Sequence, residues 1–427
     1  MLDRKFIREH PDRVRQAVAD KNESVDVDTF LALDAERRQL LVDVETLRSE
    51  RNEASEAIGR AKKAGDDASE AIAAMREVGG RIKEGEQRLA TIDEELASLE
   101  QGFPNLPDDD VPRGGEEDNE TVSSWGTPRE FDFEPQPHWD LATAMGLMHN
   151  DAAAAMSGSG FSVLTGELAR LERSLVNWFL DVHVAEQGYV EINAPYLVRD
   201  HAVTGTGQLP KLAEDMYRTE TDGLWLIPTA EVSITNLYRE QILEPGVIPR
   251  RFVGFSPCFR REAGSAGKDT RGILRMHQFH KVEMVRFTTE DRSDAEHDEL
   301  VRDAAVLLER LDLPYRVAKL ATADLSFAAA RCYDLEVYSP GVDAWLEVSS
   351  CSNFRDFQAR RAGIRYRPER QAKPRFAHTL NGSGLALPRV IIAILENYQT
   401  SDGTVVVPEV LRPYMGGVDV IRGVAAE

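Results

Sequence analysis

The sequence predicts an α+β protein in two parts: an N-terminal antiparallel helical coiled-coil arm, then a mixed domain carrying antiparallel strands. Three observations carry this. Between Phe30 and Leu99, apolar residues step by three and four in two series that mirror each other. A stretch rich in Pro, Gly, Asp and Glu, from Gly102 to Pro137, then ends the helical pattern. Beyond it, helical and strand patterns mix, most clearly in two alternating runs, FVGFSPCFRRE and RMHQFHKVEMVRF. The boundaries read as residues 1–103 for the arm domain, 104–130 for an acidic linker and 131–427 for the larger domain.

The chain has 427 residues and a net charge of −22, with 73 acidic against 51 basic side chains. Such a balance opposes nonspecific nucleic-acid binding, so any polyanionic partner must find basic residues gathered locally. The three cysteines, Cys258, Cys332 and Cys351, lie far apart; no zinc site is expected, and a reduced cytoplasm is the simplest setting. The first residues, MLDRKFIREHPDRVRQ, contain no apolar run, and no membrane span is expected.

Taken in order, residues 1 to about 25 suggest one short helix with Phe6, Val14, Ala17 and Val18 on its apolar side. The first heptad series is Phe30, Leu33, Arg37, Leu40, Val44, Leu47, Arg51, Ala54, Ile58 and Ala61. The second is Ala68, Ala71, Met75, Val78, Ile82, Gly85, Leu89, Ile92, Leu96 and Leu99. Folding back at Gly65 pairs Leu33 with Leu96, Leu40 with Leu89, Leu47 with Ile82 and Ala54 with Met75. Helices of roughly 30 to 35 residues would reach about 45–50 Å at 1.5 Å per residue. From Arg48 to Arg88 nine basic residues balance nine acids, whereas Leu89 to Glu120 holds eleven acids and one arginine. The distal arm is thus the more acceptable surface for a polyanion; such charges otherwise simply solvate a coiled coil.

The larger domain is organised around Phe252 to Phe287, where two apolar strands flank a loop of glycines and charges, Ala263 to Gly272. Alternation puts Arg260 and Glu262 on one face of the first strand, and Arg275, His277, Phe279, Lys281 and Glu283 on one face of the second. An anionic ligand with a flat ring suits that surface: guanidinium for a phosphate, aromatic ring for stacking, carboxylate for an exocyclic amine. Gly264, Gly267 and Lys268 hint at a P-loop, but the spacing is wrong and a strand follows. His277 and His280, three apart on a strand, point to opposite faces and do not share a metal.

The run Phe259-Arg260-Arg261-Glu262, the loop, and Arg271-Gly272 through Glu283 resemble the second signature motif of class II aminoacyl-tRNA synthetases. The wording RMHQFHKVE is similar to the seryl-tRNA synthetase version, except that His280 stands where an acidic or polar residue is usual. Other segments extend the resemblance over essentially the whole chain. Glu167–Gln187, an amphipathic helix, is followed by a strand at Tyr189–Ile192 and by Pro195; this resembles the first motif, which builds the dimer interface. Thr229-Ala230-Glu231 resembles the serine-binding loop. Ala344–Asn353 reads as a strand with Trp345, Glu347 and Ser349 on one face; in the resemblance Glu347, Val348, Ser349 and Ser350 contact ATP. Asn381–Arg389 resembles the third motif, with Ser383 in the serine pocket and Arg389 on the triphosphate. The most basic run in the chain contains Arg360, Arg361, Arg365, Arg367, Arg370, Lys373 and Arg375, and reads as a contact for the tRNA acceptor end.

The resemblance implies an antiparallel sheet flanked by helices, and ATP-dependent joining of L-serine to tRNA(Ser) through a seryl-adenylate, with tRNA(Sec) as a further substrate where present. It assigns Arg260 and Arg389 to catalysis; Thr229, Ala230, Glu231, Glu283 and Ser383 to serine; and Arg260, Arg261, Glu262, Phe279, Glu347, Val348, Ser349, Ser350 and Arg389 to ATP. Magnesium is assigned to Glu347 and Ser350. For tRNA the expected contacts are Arg48, Arg51, Arg60, Lys62, Lys63, Arg76 and Arg81 on the arm, with Arg361 and Arg365. A homodimer is implied, the arm of one subunit serving the active site of the other. Two alternatives remain: a relative that charges a carrier protein, against which the full arm argues, and a degenerate interaction protein, against which Arg260, Glu262, Glu347 and Arg389 argue.

Overall fold

The computed structural model describes residues 1–263 and 271–423, in two compact units, Met1–Pro104 and Asn105–Glu427. Gly264, Gly267 and Lys268, and with them most of the loop between the two strands, lie outside the described residues.

The first unit is helical. In place of one N-terminal helix there are two, α1 (Arg4–Glu9) and α2 (Pro11–Asp20). Pro11 cannot donate a backbone hydrogen bond, so it ends one helix and opens the next. Asp3 caps α1, accepting from the amides of Lys5 and Phe6, and Ile7 rather than Phe6 is the buried residue. The arm proper is α3 (Val27–Ala64) and α4 (Ser69–Gly102), of 38 and 34 residues, so α3 exceeds the expected length and spans about 57 Å. Gly65, at φ +85°, supplies the left-handed cap that turns the chain. Val44, Leu47 and Ile82 form the buried seam, flanked by Val78 and Leu89. A side chain at Gly85 would stand 2.6 Å from Val44, so glycine there lets the helices close up. Toward the tip the seam continues through Ile58 and Ala68, both buried, with Ala54, Ala61 and Met75 only partly so.

The second unit is built on an eight-stranded sheet. In chain order its strands are β1 (Glu120–Trp125), β2 (Val190–Glu191), β3 (Arg250–Phe259), β4 (Gln278–Thr288), β5 (Tyr315–Lys319), β6 (Arg331–Ser339), β7 (Ala344–Asn353) and β8 (His378–Ala386). They lie in the order β1-β5-β6-β7-β8-β4-β3-β2. Every neighbouring pair is antiparallel except β2 with β3, which is parallel. The 104–130 stretch is therefore not a free linker. It supplies the edge strand β1, and buried Asn105 donates to the carbonyls of Ala328 and Phe354, at 2.9 Å each.

Three helices, Gly166–Ala185, Ser293–Arg310 and Leu387–Asn397, pack against this sheet and bury Leu175, Phe179, Leu300, Leu307, Ile391 and Ile394 in one core. The fully buried Arg286 of β4 points into that layer and donates to Tyr189 Oη and Glu296 Oε2, at 2.8 Å each, and to Asp303. Side chains alternate along β4, so Phe279, Lys281 and Glu283 fall on the other face, toward a cavity.

Candidate active site

The pairing of β3 with β4 sets the floor: Cys258 lies opposite Phe279, Ser256 opposite Lys281 and Gly254 opposite Glu283. The strands are shorter than the alternation suggests. β3 ends at Phe259 and β4 begins at Gln278, so Arg260, Glu262, Arg275 and His277 sit beyond them. Their positions come from other contacts. The Arg260 amide donates to the His277 carbonyl at 2.9 Å, and the His277 amide donates to Gly160 at 2.8 Å. Glu262 adopts φ +50° and faces Arg275 at 3.3 Å. The Arg260 guanidinium lies 5.1 Å from the centre of the Phe279 ring.

A cavity of about 300 Å³ gathers Arg260, Glu262, Phe279, Glu347, Ser350 and Arg389 together with Thr229, Glu231, Glu283 and Ser383. The chain after the 264–270 loop is fixed from outside the cavity by a histidine. Ile273 donates its amide to His138 Nε2 at 3.2 Å, which leaves Nδ1 to carry the proton toward Glu396 at 2.9 Å. Gly272, at φ +67°, has no room for a side chain, since a Cβ would lie 2.1 Å from that ring.

On β7 the predicted alternation fails. Glu347 pairs with Glu336, but Ser349 pairs with Leu335, so one extra residue bulges at Val348. Val348 joins the core, and the Ser349 hydroxyl donates to the Ser383 carbonyl at 2.6 Å. Glu347 and Ser350 face the cavity instead. Burial alone would raise the Glu347 carboxyl, but Arg389, Arg260 and Lys281 together hold it below its ordinary value. Arg389 donates to both the Glu347 carbonyl, at 2.7 Å, and its carboxylate, at 2.9 Å. Behind them Asp334, opposite Ser350, is pushed well above the usual carboxylate range by burial and by the Glu347 charge. Two oxygen donors facing one cavity suit a hard divalent ion. No cluster of three or more His, Cys, Asp or Glu side chains suited to a metal exists among the described residues.

The other carboxylates are more enclosed. Glu283 is fully buried, paired with Lys281 at 2.5 Å and accepting from Asn381 at 2.8 Å. Glu231 opens the short helix Glu231–Thr235, and Thr229 Oγ1 accepts its amide at 3.3 Å. Burial, and then the Glu283 charge, raise the Glu231 carboxyl to about 7, against the opposing pull of Gln358, Lys281 and Gln208. Lys281, Asn381 and Gln208 also line the cavity, and Gln358 lies behind it on Glu231. Lys281 was legible, since it shares a strand face with Glu283; the two glutamines carry no motif.

Several other assigned residues lie elsewhere. Ala230 is buried in a core beside the site, and Arg261 is exposed, its amide donating to Asp215 at 2.7 Å. Arg361, expected on a tRNA surface, faces inward: it is buried between Phe327 and Phe357 and donates to the carbonyls of Thr204 and Leu209. Burial lowers its guanidinium to about 10. Arg365 is half-buried on a short strand beside Ile242. All seven arm residues, Arg48, Arg51, Arg60, Lys62, Lys63, Arg76 and Arg81, are exposed, and Arg48 meets Glu86 at 2.7 Å. His280 points away from the cavity floor toward the helix Gly166–Ala185, where it meets Glu172 at 2.8 Å. Among the described residues no helix is long and apolar enough to cross a membrane.

Two family models match the chain: the seryl-tRNA synthetase N-terminal domain over residues 1–107, and the class II tRNA synthetase core domain (G, H, P, S and T) over residues 215–398. The chain is 56% identical to a serine–tRNA ligase of Thermomicrobium roseum over 418 residues, covering 98% of this chain and 94% of that one. It is 50% identical to the serine–tRNA ligase of Nitratidesulfovibrio vulgaris strain Miyazaki F, covering 98% and 99%. Among solved structures it is similar to the seryl-tRNA synthetase of Pyrococcus horikoshii complexed with ATP, with TM-score 0.95 and 37% identity over 99% of this chain and 100% of that one.

Proposed function

The chain belongs to the seryl-tRNA synthetases, class II serine–tRNA ligases, and from that premise we propose that it works through a seryl-adenylate assembled in the cavity beside β4. The observation that carries this reading is the convergence on one cavity of Arg260, Arg389 and Glu347 with Glu231, Glu283 and Ser383.

In the first step the serine carboxylate oxygen attacks the α-phosphorus of ATP; the new P–O bond forms as the bond to the β-phosphate oxygen breaks, and pyrophosphate leaves. In the second step the terminal ribose hydroxyl of tRNA attacks the seryl carbonyl, and AMP leaves. No enzyme nucleophile is needed; the gain comes from positioning and from charge stabilisation. Arg260 holds the α-phosphate, Phe279 stacks on adenine and Glu262 accepts from the adenine amine. Arg389 meets the terminal phosphate. Glu347 and Ser350 would hold Mg²⁺, which when bound supplies charge neutralisation across the phosphates. Val348 and Ser349 turn their side chains away from the cavity, which leaves them main-chain contacts with ATP, while Arg261 is exposed between two residues that line it. Glu231, Glu283, Thr229 and Ser383 take the polar groups of serine, and Ala230 shapes the turn that presents Glu231. A pocket built to bond a hydroxyl rejects alanine, because its own polar groups would be left unpaired.

The tRNA(Ser) contacts are the exposed basic residues of the distal arm and Arg365, with Arg361 supporting from within; tRNA(Sec) would follow the same route. The partnership is a homodimer in a cytoplasmic setting, the arm of one subunit serving the other's active site. The exposed apolar side chains Val184, Val190 and Leu197 support an interface there. Pyrophosphate exchange run over a panel of amino acids tests the reading: serine alone should drive it, followed by transfer to tRNA(Ser). Exchange without transfer to tRNA would favour the carrier-protein alternative, and absence of exchange the non-catalytic one.

A further inference from the structure

Two threonine–glutamine pairs converge on one carboxylate. Gln358 is fully buried on the helix Phe357–Ala362. The Thr379 hydroxyl of β8 donates to its amide oxygen at 2.8 Å. Its amide nitrogen donates to the Thr206 carbonyl at 3.1 Å and to Glu231 Oε1 at 2.6 Å. Every hydrogen-bonding position of that amide facing these groups is used. Turning it over would set its oxygen against two acceptors, the Thr206 carbonyl and the Glu231 carboxylate. The second pair repeats the pattern. Gln208 Oε1 is the nearest acceptor to the Thr206 hydroxyl, and Gln208 Nε2 donates to Glu231 Oε2 at 3.3 Å.

We infer that Gln358 and Gln208 are positioning residues for amino-acid recognition: each is oriented by a threonine so that Glu231 is held as an acceptor-only carboxylate aimed into the cavity. The inference rests on the reading that Glu231 engages serine. A carboxylate offers about four acceptor positions, and the two glutamines occupy one on each oxygen. The remaining positions face a ligand that donates, an ammonium or a hydroxyl. A neutral carboxyl would present a donor of its own and repel that ammonium. Fixing both oxygens also fixes the plane of the group, which a short side chain in a wide cavity would not keep unaided.

The test compares Q358M, T379V and E231Q by pyrophosphate exchange, reading KM for serine and for ATP separately. Q358M removes the donor at similar volume, and should raise the serine KM at least tenfold while ATP KM and kcat stay within about twofold. T379V removes only the hydroxyl that orients Gln358, since Thr379 is buried and lines no part of the cavity. It should raise the serine KM about threefold or more, again with ATP unchanged, so the inference stays open to test if Q358M fails to fold. Equal losses for serine and ATP, or no change in either variant, would overturn it. E231Q separates the premise from the inference: if E231Q leaves serine binding intact, the reading of the pocket fails; if E231Q weakens serine but Q358M and T379V do not, only the positioning role fails.

Discussion

The enclosed Glu231 makes serine recognition sensitive to pH just below neutrality. Burial and the neighbouring Glu283 carry its carboxyl from the ordinary 4.5 to about 7, with Lys281 and the two glutamines opposing. A group with that value is about one-eleventh ionised at pH 6 and about ten-elevenths at pH 8. If only the carboxylate accepts from serine, the serine KM should fall about tenfold from pH 6 to pH 8. ATP KM should not share that slope, because Glu231 is assigned to the amino acid. E231Q should weaken serine and abolish the slope together. Stability runs in the opposite sense. The folded state binds the extra proton between 4.5 and about 7, so stability from this group falls as pH rises through that window. E231Q removes the penalty and should make the free protein more stable at pH 8 by up to about 3 kcal/mol, with no gain near pH 4.5. Exchange assays across pH, with urea melts at both ends of the range, decide the matter. A serine KM flat between pH 6 and 8, or a slope retained in E231Q, would refute the reasoning.

Three further predictions concern other parts of the molecule. Arg260→Ala should slow pyrophosphate exchange about a hundredfold or more, since losing one oriented charge contact costs about 2.7–4 kcal/mol; near-normal exchange would remove Arg260 from the mechanism. Arg286→Met strips half-buried Asp303 of its paired guanidinium and leaves buried Glu296 to Arg251 and Arg292, and should destabilise the second unit by about 3 kcal/mol in urea melts; an unchanged melt would show that the network is not a stabilising one. Replacing Arg48 through Arg81 by a short turn keeps the proximal layers around Leu40 and Leu89, so serine-dependent exchange should persist while tRNA charging collapses; charging at the parental rate would show that the distal arm is not the recognition element.

The parts legible in the sequence are those where period and composition decide. The heptads of the arm, the helix 166–185 and the β3–β4 pair each bury one periodic face, so apolar spacing alone marks them. The cavity's charged residues were found through motifs at their own positions. What escaped was set by distant partners. Nothing in Arg361 or its basic neighbours signals that its guanidinium is sealed between Phe327 and Phe357. The acidic composition around Glu120–Trp125 reads as linker, yet pairing with Tyr315–Lys319 makes it a strand. Gln208 and Gln358 stand 150 residues apart in ordinary contexts, and only the packing of a short helix beside β8 brings both to Glu231. Pro11 is legible on its own, since its ring predicts the break between α1 and α2.

The extra residue at Val348 acts as a phase shift written into β7. Upstream of it, cavity-facing positions keep step with Glu347; downstream they keep step with Ser350 and Ser352. Shortening the strand by that one residue would leave a more regular ladder, and the sheet itself could be the better for it. The same deletion would restore simple alternation with Glu347, Ser350 and Ser352 still on the cavity face and Ser349 and Cys351 still turned inward. What the deletion would remove is the Val348 side chain from the core, so this position is a question of packing rather than of frame. The strand should accept another small apolar side chain at Val348 far more readily than a polar or charged one.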